Sequence, residues 1–289
     1  MTVTHETLQE AAPGVVASTR RALPSVRTLP GWASRLLKDA LSLAGAALIL
    51  GGLWQVAAMA LDDLPTPLAT LKVLGAMLVD PIYDRGPNDK GIGLQLFASL
   101  KRVFLGFTLA SLVAVPLGVL LGMSPLVRRV IDPIVQVLRP VSPLAWFPLG
   151  LVALQSAPQA AVFVVFITSL WPTVINTAVG VASVPKSYRD MARVFEFSTA
   201  QYVTRVLLPY SLPHILTGLR LSMGIAWLVI VAAEMLSGGT GIGFFVWDSW
   251  NALSLERVVS AILLIGVVGL ILDRAFGAVA AQFRYAEVP

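Results

Sequence analysis

The stretch PVSPLAWFPLGLVALQSAPQAAVFVVFITSLWPTVINTAVGVASVP, residues 140–185, contains no charged side chain. A helix needs about 20 apolar residues to cross the roughly 30 Å hydrocarbon core of a bilayer. The run is therefore long enough for one span to finish and another to begin, with the break placed at Gln155–Gln159, around Pro158. Working outward, Ala40–Leu61 and Val103–Val127 are also free of charge. Ile215–Ala233 holds only Arg220, and Val258–Phe276 only Asp273 and Arg274 near its end, where ionic side chains reach the interface. Six spans result, at approximately 40–61, 103–123, 133–154, 160–181, 215–234 and 258–276. The fold class expected is an all-α integral membrane protein.

Composition agrees. Of 289 residues 56% are hydrophobic and 13% charged, against roughly 25% charged in a soluble globular domain. The apolar residues arrive in blocks rather than as amphipathic stripes. Residues 1–38 read as an N-terminal segment, mobile to Pro30 and with Trp32–Lys38 suited to the membrane surface; residues 39–289 form the transmembrane domain. Ala58-Met59-Ala60 resembles a cleavage site, but the leader is too long and the apolar run exceeds the 7–15 residues of a signal peptide's core. The first span is expected to stay uncleaved.

A net charge of +5 and a pI near 9.8 raise nucleic acid as a partner. The basic residues are instead distributed as the positive-inside rule requires. Arg20, Arg21, Arg27, Arg35, Lys38, Arg128, Arg129, Lys186, Arg189, Arg193, Arg205 and Arg284 fall on one side of six spans. That places both termini in the cytoplasm and excludes a nucleic-acid role. Trp247, Trp250 and Tyr285 suit an aromatic belt. Cysteine is absent and histidine occurs only at positions 5 and 214, which removes thiolate nucleophiles, disulfides and most zinc-ligand sets. No catalytic residue, cofactor or metal site is expected.

One polar segment interrupts this chain: DMARVFEFSTAQYVTRVLLP, Asp190–Pro209, within a loop at 182–213. Ser187 with Asp190, and Ser198 with Gln201, have the spacing of helix-start signals. Met191, Val194 and Phe195, then Tyr202, Val203, Val206 and Leu207, repeat the i, i+3, i+4 pattern of short amphipathic helices. Pro209 and Pro213 are expected to interrupt the pattern before the next span. Two partners suit such helices: the lipid headgroup layer, or a groove on another protein.

The segment resembles the cytoplasmic loop of ABC importer permeases, with a motif of the form E-A-A, a later Gly and a terminal I-x-L-P. Asp190, Met191 and Ala192 take the first places, Glu196 stands at the Gly, and Val206, Leu208 and Pro209 close the motif. Asp for Glu and Met for Ala are mild departures. Glu196 is sharper, because Gly enters a left-handed turn freely and Glu does so at a cost; the turn is expected to differ in shape. The resemblance runs from about Leu64 to Tyr285. SLKRVFLGFTLA (99–110), PLGVLLG (116–122), LRPVSPLAWFPLG (138–150) and TGLRLSMGIAWLVIVAAEML (217–236) are similar to the permeases for nitrate, sulfonates, taurine and bicarbonate. DPIYDRGPNDKGIGLQL (80–96) and GGTGIGFFVWDSWNALS (238–254) are similar to the nitrate and bicarbonate members, nitrate first.

The resemblance implies a type I ABC importer permease fold in a bacterial inner membrane. It also implies separate ATPase subunits that bind the ATP, a periplasmic or lipoprotein substrate-binding protein, and a second permease copy, expected to be identical. The loop would be the coupling helix, with Asp190, Ala192, Arg193, Glu196, Ser198, Tyr202, Arg205, Leu208 and Pro209 docking on the ATPase. The chain itself carries no G-x-x-x-x-G-K-[ST] loop. The alternatives are a bicarbonate, cyanate or sulfonate/taurine permease, and, from other classes, a secondary transporter or a membrane-embedded enzyme.

A small anion needs donors or positive charge along its path. Arg102, at the outer start of the second span, and Thr168, Ser169, Asn176 and Thr177 on the fourth are candidates for that path; the plainer alternative is interhelical hydrogen bonding. Glu234 would repel an anion. Its expected role is to pair with Arg102 or Arg257 at an outer gate, or to mark the interface. Pro140, Pro143 and Pro148 are expected to bend the third span.

Overall fold

A computed structural model describes residues 31–61, 63–86 and 89–283, with side chains from residue 41 onward other than Leu43. The leader up to Pro30, with Arg20, Arg21 and Arg27, and the tail with Arg284 and Tyr285 lie outside the described residues. The chain divides into two compact units, Met1–Leu53 and Trp54–Pro289. In the first, the described residues belong to one helix, α1 (Gly31–Ala60), on which Leu48, Ile49 and Leu50 are exposed. Trp32–Lys38 are its opening turns rather than a separate surface helix.

The second unit contains α2 (Pro67–Val79), α3 (Ile92–Met123), α4 (Pro125–Leu138), a 3-10 turn at Pro143–Trp146, α5 (Phe147–Leu154) and α6 (Ala157–Ala182). It continues with α7 (Lys186–Val194), α8 (Thr199–Tyr202), a π turn at Val203–Leu207, α9 (Leu208–Ser237), α10 (Ile242–Asn251) and α11 (Leu255–Gln282). Its burial pattern is that of a protein dissolved in hydrocarbon. Gln95, Ser99, Thr173, Ser222 and Glu234 are buried, while Phe97, Leu112, Leu228 and Ile271 point outward. In water so much exposed apolar surface would drive association; in a bilayer the lipid tails cover it.

Because lipid is as apolar as leucine, helices in a membrane associate through close packing and hydrogen bonds. α6 lies against both α3 and α9 at the centre of this unit. On α3, Gly118 and Gly122 are spaced as G-x-x-x-G: a Cβ on Gly118 would meet Thr177 and the Val174 carbonyl, and one on Gly122 would meet Val181. On the other side of α6, Gly180 faces His214, and Gly218 of α9 faces Asn176. Thr173 and Ser222 then join α6 to α9 by a 2.7 Å hydroxyl pair, and Ser222 donates to the Ser169 carbonyl at 2.7 Å.

Among the described residues α3, α6, the run from Thr199 to Ser237, and α11 are long and apolar enough to span a membrane. The fifth candidate is a broken pair, and Ala44–Ala60 of α1 is a shorter apolar helix. The segment expected as a span at 133–154 is bent by 97° between α4 and the 3-10 turn with α5. Pro140 lacks the N–H a continuing helix would use, and Pro143 opens the new turn where no N–H is required. The break falls at the start of the expected window Gln155–Gln159, at Gln155, which is left-handed (φ 50°) and caps α5. Pro158 lies inside the first turn of α6. Neither α2, capped by Thr66, nor α10 was expected.

Candidate functional site

Two polar assemblies stand out, one in the loop 182–213 and one buried between α3, α9 and α10. In the loop, α7 starts at Lys186, before the expected Ser187 and Asp190 signal. Pro185 at the N-cap position (φ −58°, ψ 146°) sets the entry by its own ring, with no side-chain cap. Asp190 instead stands 3.7 Å from Arg193, both exposed. Ala192 packs inward, whereas Met191, Val194 and Phe195 are 43%, 79% and 66% exposed. The apolar face expected from the sequence is therefore exposed among the described residues.

α7 closes in a Schellman turn. Phe197 N–H donates to the Ala192 carbonyl at 2.9 Å and Glu196 N–H to the Arg193 carbonyl at 3.0 Å. Glu196 sits at the left-handed position, φ 52°. The turn takes a conformation that a glycine would adopt freely, and the two hydrogen bonds hold Glu196 there. The Ser198–Gln201 capping box forms as read: Gln201 N–H donates to Ser198 Oγ at 3.3 Å, and Ser198 N–H to Gln201 Oε1 at 2.8 Å.

Pro209 and Pro213 do not interrupt the helix they lie in; a continuous run leads from Thr199 to Ser237. In the π turn Leu208 N–H reaches back to the Val203 carbonyl, which shifts the hydrogen-bond register just before Pro209, where an N–H is missing. Ser211 Oγ then donates to the Leu207 carbonyl at 2.7 Å, and Thr217 Oγ1 to that of Pro213 at 2.8 Å. Arg205 is exposed, Leu208 half-buried, and Leu207 packs with Val119 and Val181. A cavity of about 300 Å³ lies between α7 and α8, lined by Arg189, Arg193, Phe197, Thr199 and Tyr202 among others.

The buried assembly begins with spacing on α3. Gln95, Ser99 and Arg102 recur at i, i+4 and i+7 and share one face. Arg102 lies inside α3, ten residues from its start at Ile92. Arg102 Nη1 donates to Glu234 Oε1 at 2.6 Å and to the Thr240 carbonyl at 2.5 Å. Ser99 Oγ has one proton; it donates to Glu234 Oε2 at 2.6 Å and accepts from Ile242 N–H at 2.8 Å. Gln95 Oε1 accepts from Gly241 N–H at 2.6 Å.

Glu234 is fully buried, and Gly243 N–H also donates to its Oε2 at 3.1 Å. Its carboxylate thus meets one first-turn amide of α10, where a helix favours negative charge. The loop between α9 and α10 makes this approach possible: Gly238, Gly239 and Gly241 have φ of 70°, 86° and 150°. A Cβ on Gly241 would fall on the Glu234 carboxyl group. Of the two partners expected for Glu234, the structure selects Arg102. Gln95 and Ser99 went unread because a lone polar residue in an apolar run gives no sign of its partner.

Thr168 donates to the Val164 carbonyl at 2.7 Å and Asn176 to that of Pro172 at 2.8 Å, both within their own helix. Ser169 and Thr177 are buried. Trp247 and Trp250 are exposed on α10.

Residues 114–285 match the family described as the inner membrane component of binding-protein-dependent transport systems. The chain is 44% identical over 244 residues to the nitrate import permease protein NrtB of Synechocystis sp., covering 84% of this chain and 87% of the relative. It is 43% identical over 252 residues to the bicarbonate transport system permease protein CmpB of Synechococcus elongatus, covering 85% and 90%. Among solved structures, the inward-facing MetNI methionine ABC transporter aligns with a TM-score of 0.59 at 16% identity, over 65% of this chain and 94% of that one. This last likeness bears on the fold.

Proposed function

The chain belongs to the inner membrane components of binding-protein-dependent transport systems, and on that premise we propose that it is the transmembrane subunit of an ATP-driven nitrate importer. It forms the translocation pathway and is driven by ATPase subunits that dock on the loop 182–213. A periplasmic or lipoprotein binding protein delivers the anion, a second identical copy completes the pore, and both termini face the cytoplasm. The chain hydrolyses no ATP itself.

One observation carries the reading: Met191, Val194 and Phe195 stand exposed on a short helix. A Schellman turn and a capping box join that helix to a helical run continuous with α9. Three apolar anchors within two turns are what a helix-in-groove contact uses, and the continuity beyond Ser198 gives a push on the loop a stiff route into the bilayer. Arg193 and Arg205 supply the charged rim. At the other assembly, the Arg102–Glu234 pair fixes the loop between α9 and α10 to α3 and serves as a latch on the outer side.

Nitrate is supported by the relatives named for nitrate import; bicarbonate is the second reading, on the 43% identity to a bicarbonate permease. Uptake of labelled nitrate by the assembled complex in proteoliposomes, with bicarbonate and cyanate as competitors, separates them. Val194→Asp and Phe195→Asp are expected to abolish uptake and substrate-stimulated ATP hydrolysis while the chain still folds. Normal coupling in both would remove the docking role.

A further inference from the structure

We infer that Arg139, with the indoles of Trp146 and Trp171, forms an oxyanion-binding station on the translocation pathway, at the bend between α4 and α5. The inference deepens the proposed anion transport and rests on it. Arg139 is the residue at which α4 ends, immediately before the 97° bend. It lines two cavities at once. One, of about 490 Å³, is shared with Asp132, Gln136 and Ile175; the other, of about 230 Å³, is shared with Trp146, Thr168 and Trp171.

The donors at this place are unused. Arg139 makes no ion pair or side-chain hydrogen bond among the described residues. Trp54 and Trp227 give their indole N–H groups to the carbonyls of Pro65 and Ile265, but Trp146 and Trp171 have no such acceptor among the described residues. The acid in the first cavity, Asp132, is engaged by Arg128 at 3.0 Å, which leaves the Arg139 charge uncompensated.

Arg139 is exposed at the bend, so its free guanidinium is open to an ion entering either cavity. The guanidinium is a planar fork suited to two oxygens of a planar anion, and weakly hydrated enough to exchange water for it. Indole N–H groups donate without adding charge, so they orient an anion without trapping it. A ligand of this chemistry is a small planar oxyanion. Because Arg139 borders both cavities, an ion bound to it is reachable from either.

The test uses the complete transporter in liposomes, with labelled nitrate and labelled bicarbonate as separate substrates. Arg139→Gln is expected to lower uptake at least about tenfold, the scale of a lost charge-assisted hydrogen bond. Arg139→Lys keeps the charge without the fork, and is expected to retain part of the uptake while changing the nitrate-to-bicarbonate ratio, which a purely structural role would leave alone. Trp171→Phe keeps the ring and removes the donor, and is expected to raise KM. Uptake by Arg139→Gln within about twofold of the unaltered protein, or an unchanged anion ratio in Arg139→Lys, overturns the station while leaving the transport reading intact. Should Arg139→Gln fail to assemble, unaltered KM in the Trp146→Phe, Trp171→Phe double variant overturns it equally. If the unaltered complex moves neither oxyanion, the transport reading fails and the station falls with it.

Discussion

Arg102 on α3 and Glu234 on α9 meet at 2.6 Å, 132 residues apart in sequence, with the carboxylate wholly buried and the guanidinium side chain 16% exposed. Each holds the other here, because an isolated charge in a low-dielectric interior costs far more than one that is paired and hydrogen-bonded. Breaking the pair from one side should therefore cost about 3–5 kcal/mol. Arg102→Ala and Glu234→Ala are each expected to lower the unfolding temperature of the purified protein in detergent markedly. The double variant should lose less than the sum, with a coupling energy readable from a double-mutant cycle. Additive losses would show that the pair does not act as a unit.

Gly241 depends on the same contact. Its φ of 150° and the carboxyl group lying where its Cβ would go leave no room for alanine. Gly241→Ala should displace Glu234 and lower the unfolding temperature nearly as far as Arg102→Ala does. Gly238→Ala, whose Cβ has open space, should lose about 1–3 kcal/mol through backbone strain alone, because φ 70° with ψ −178° is a conformation kept almost only by glycine. Comparing the two variants by thermal melting and uptake separates crowding from conformational strain.

Glu196 holds a left-handed conformation without a glycine's freedom. Glu196→Gly should therefore stabilise the end of α7 by about 1 kcal/mol. Hydrogen exchange provides the check: the Phe197 amide, which closes the turn on Ala192, should exchange more slowly in the glycine variant and faster in Glu196→Val.

Gly118 sets the approach of α3 to α6. A Cβ there would press on the Val174 carbonyl and on Thr177, and backbone cannot move aside as a flexible side chain can. Gly118→Ala should destabilise the protein by about 1–3 kcal/mol, with leucine worse. Gly75, with nothing near its absent Cβ, is the control: Gly75→Ala in α2 should be neutral or mildly stabilising. Melting temperatures in detergent distinguish the two.

Much of the fold could be read because a bilayer imposes a local rule. Any run of about 20 apolar residues satisfies it wherever it lies in the chain, so α3, α6, α9 and α11 were found near their true places. The Ser198–Gln201 box was equally legible, since its hydrogen bonds join residues three apart. Local grammar failed where another local feature overrode it: Pro185 displaced the Ser187 signal, and the π turn carried the helix past Pro209.

By itself, then, the sequence determined that this is a helical membrane protein with a polar, amphipathic loop between its fourth and fifth spans, because hydrophobic length and helix-start chemistry are properties of neighbouring residues. Tertiary structure alone decided that Gln95, Ser99 and Arg102 converge on Glu234, that Gly118 admits α6, and that Arg139 stands between two cavities. Lipid rewards every apolar face alike, so periodicity cannot say which face meets which helix. That choice falls to close backbone approach and to the pairing of a few buried polar groups, which exist only once distant segments are brought together.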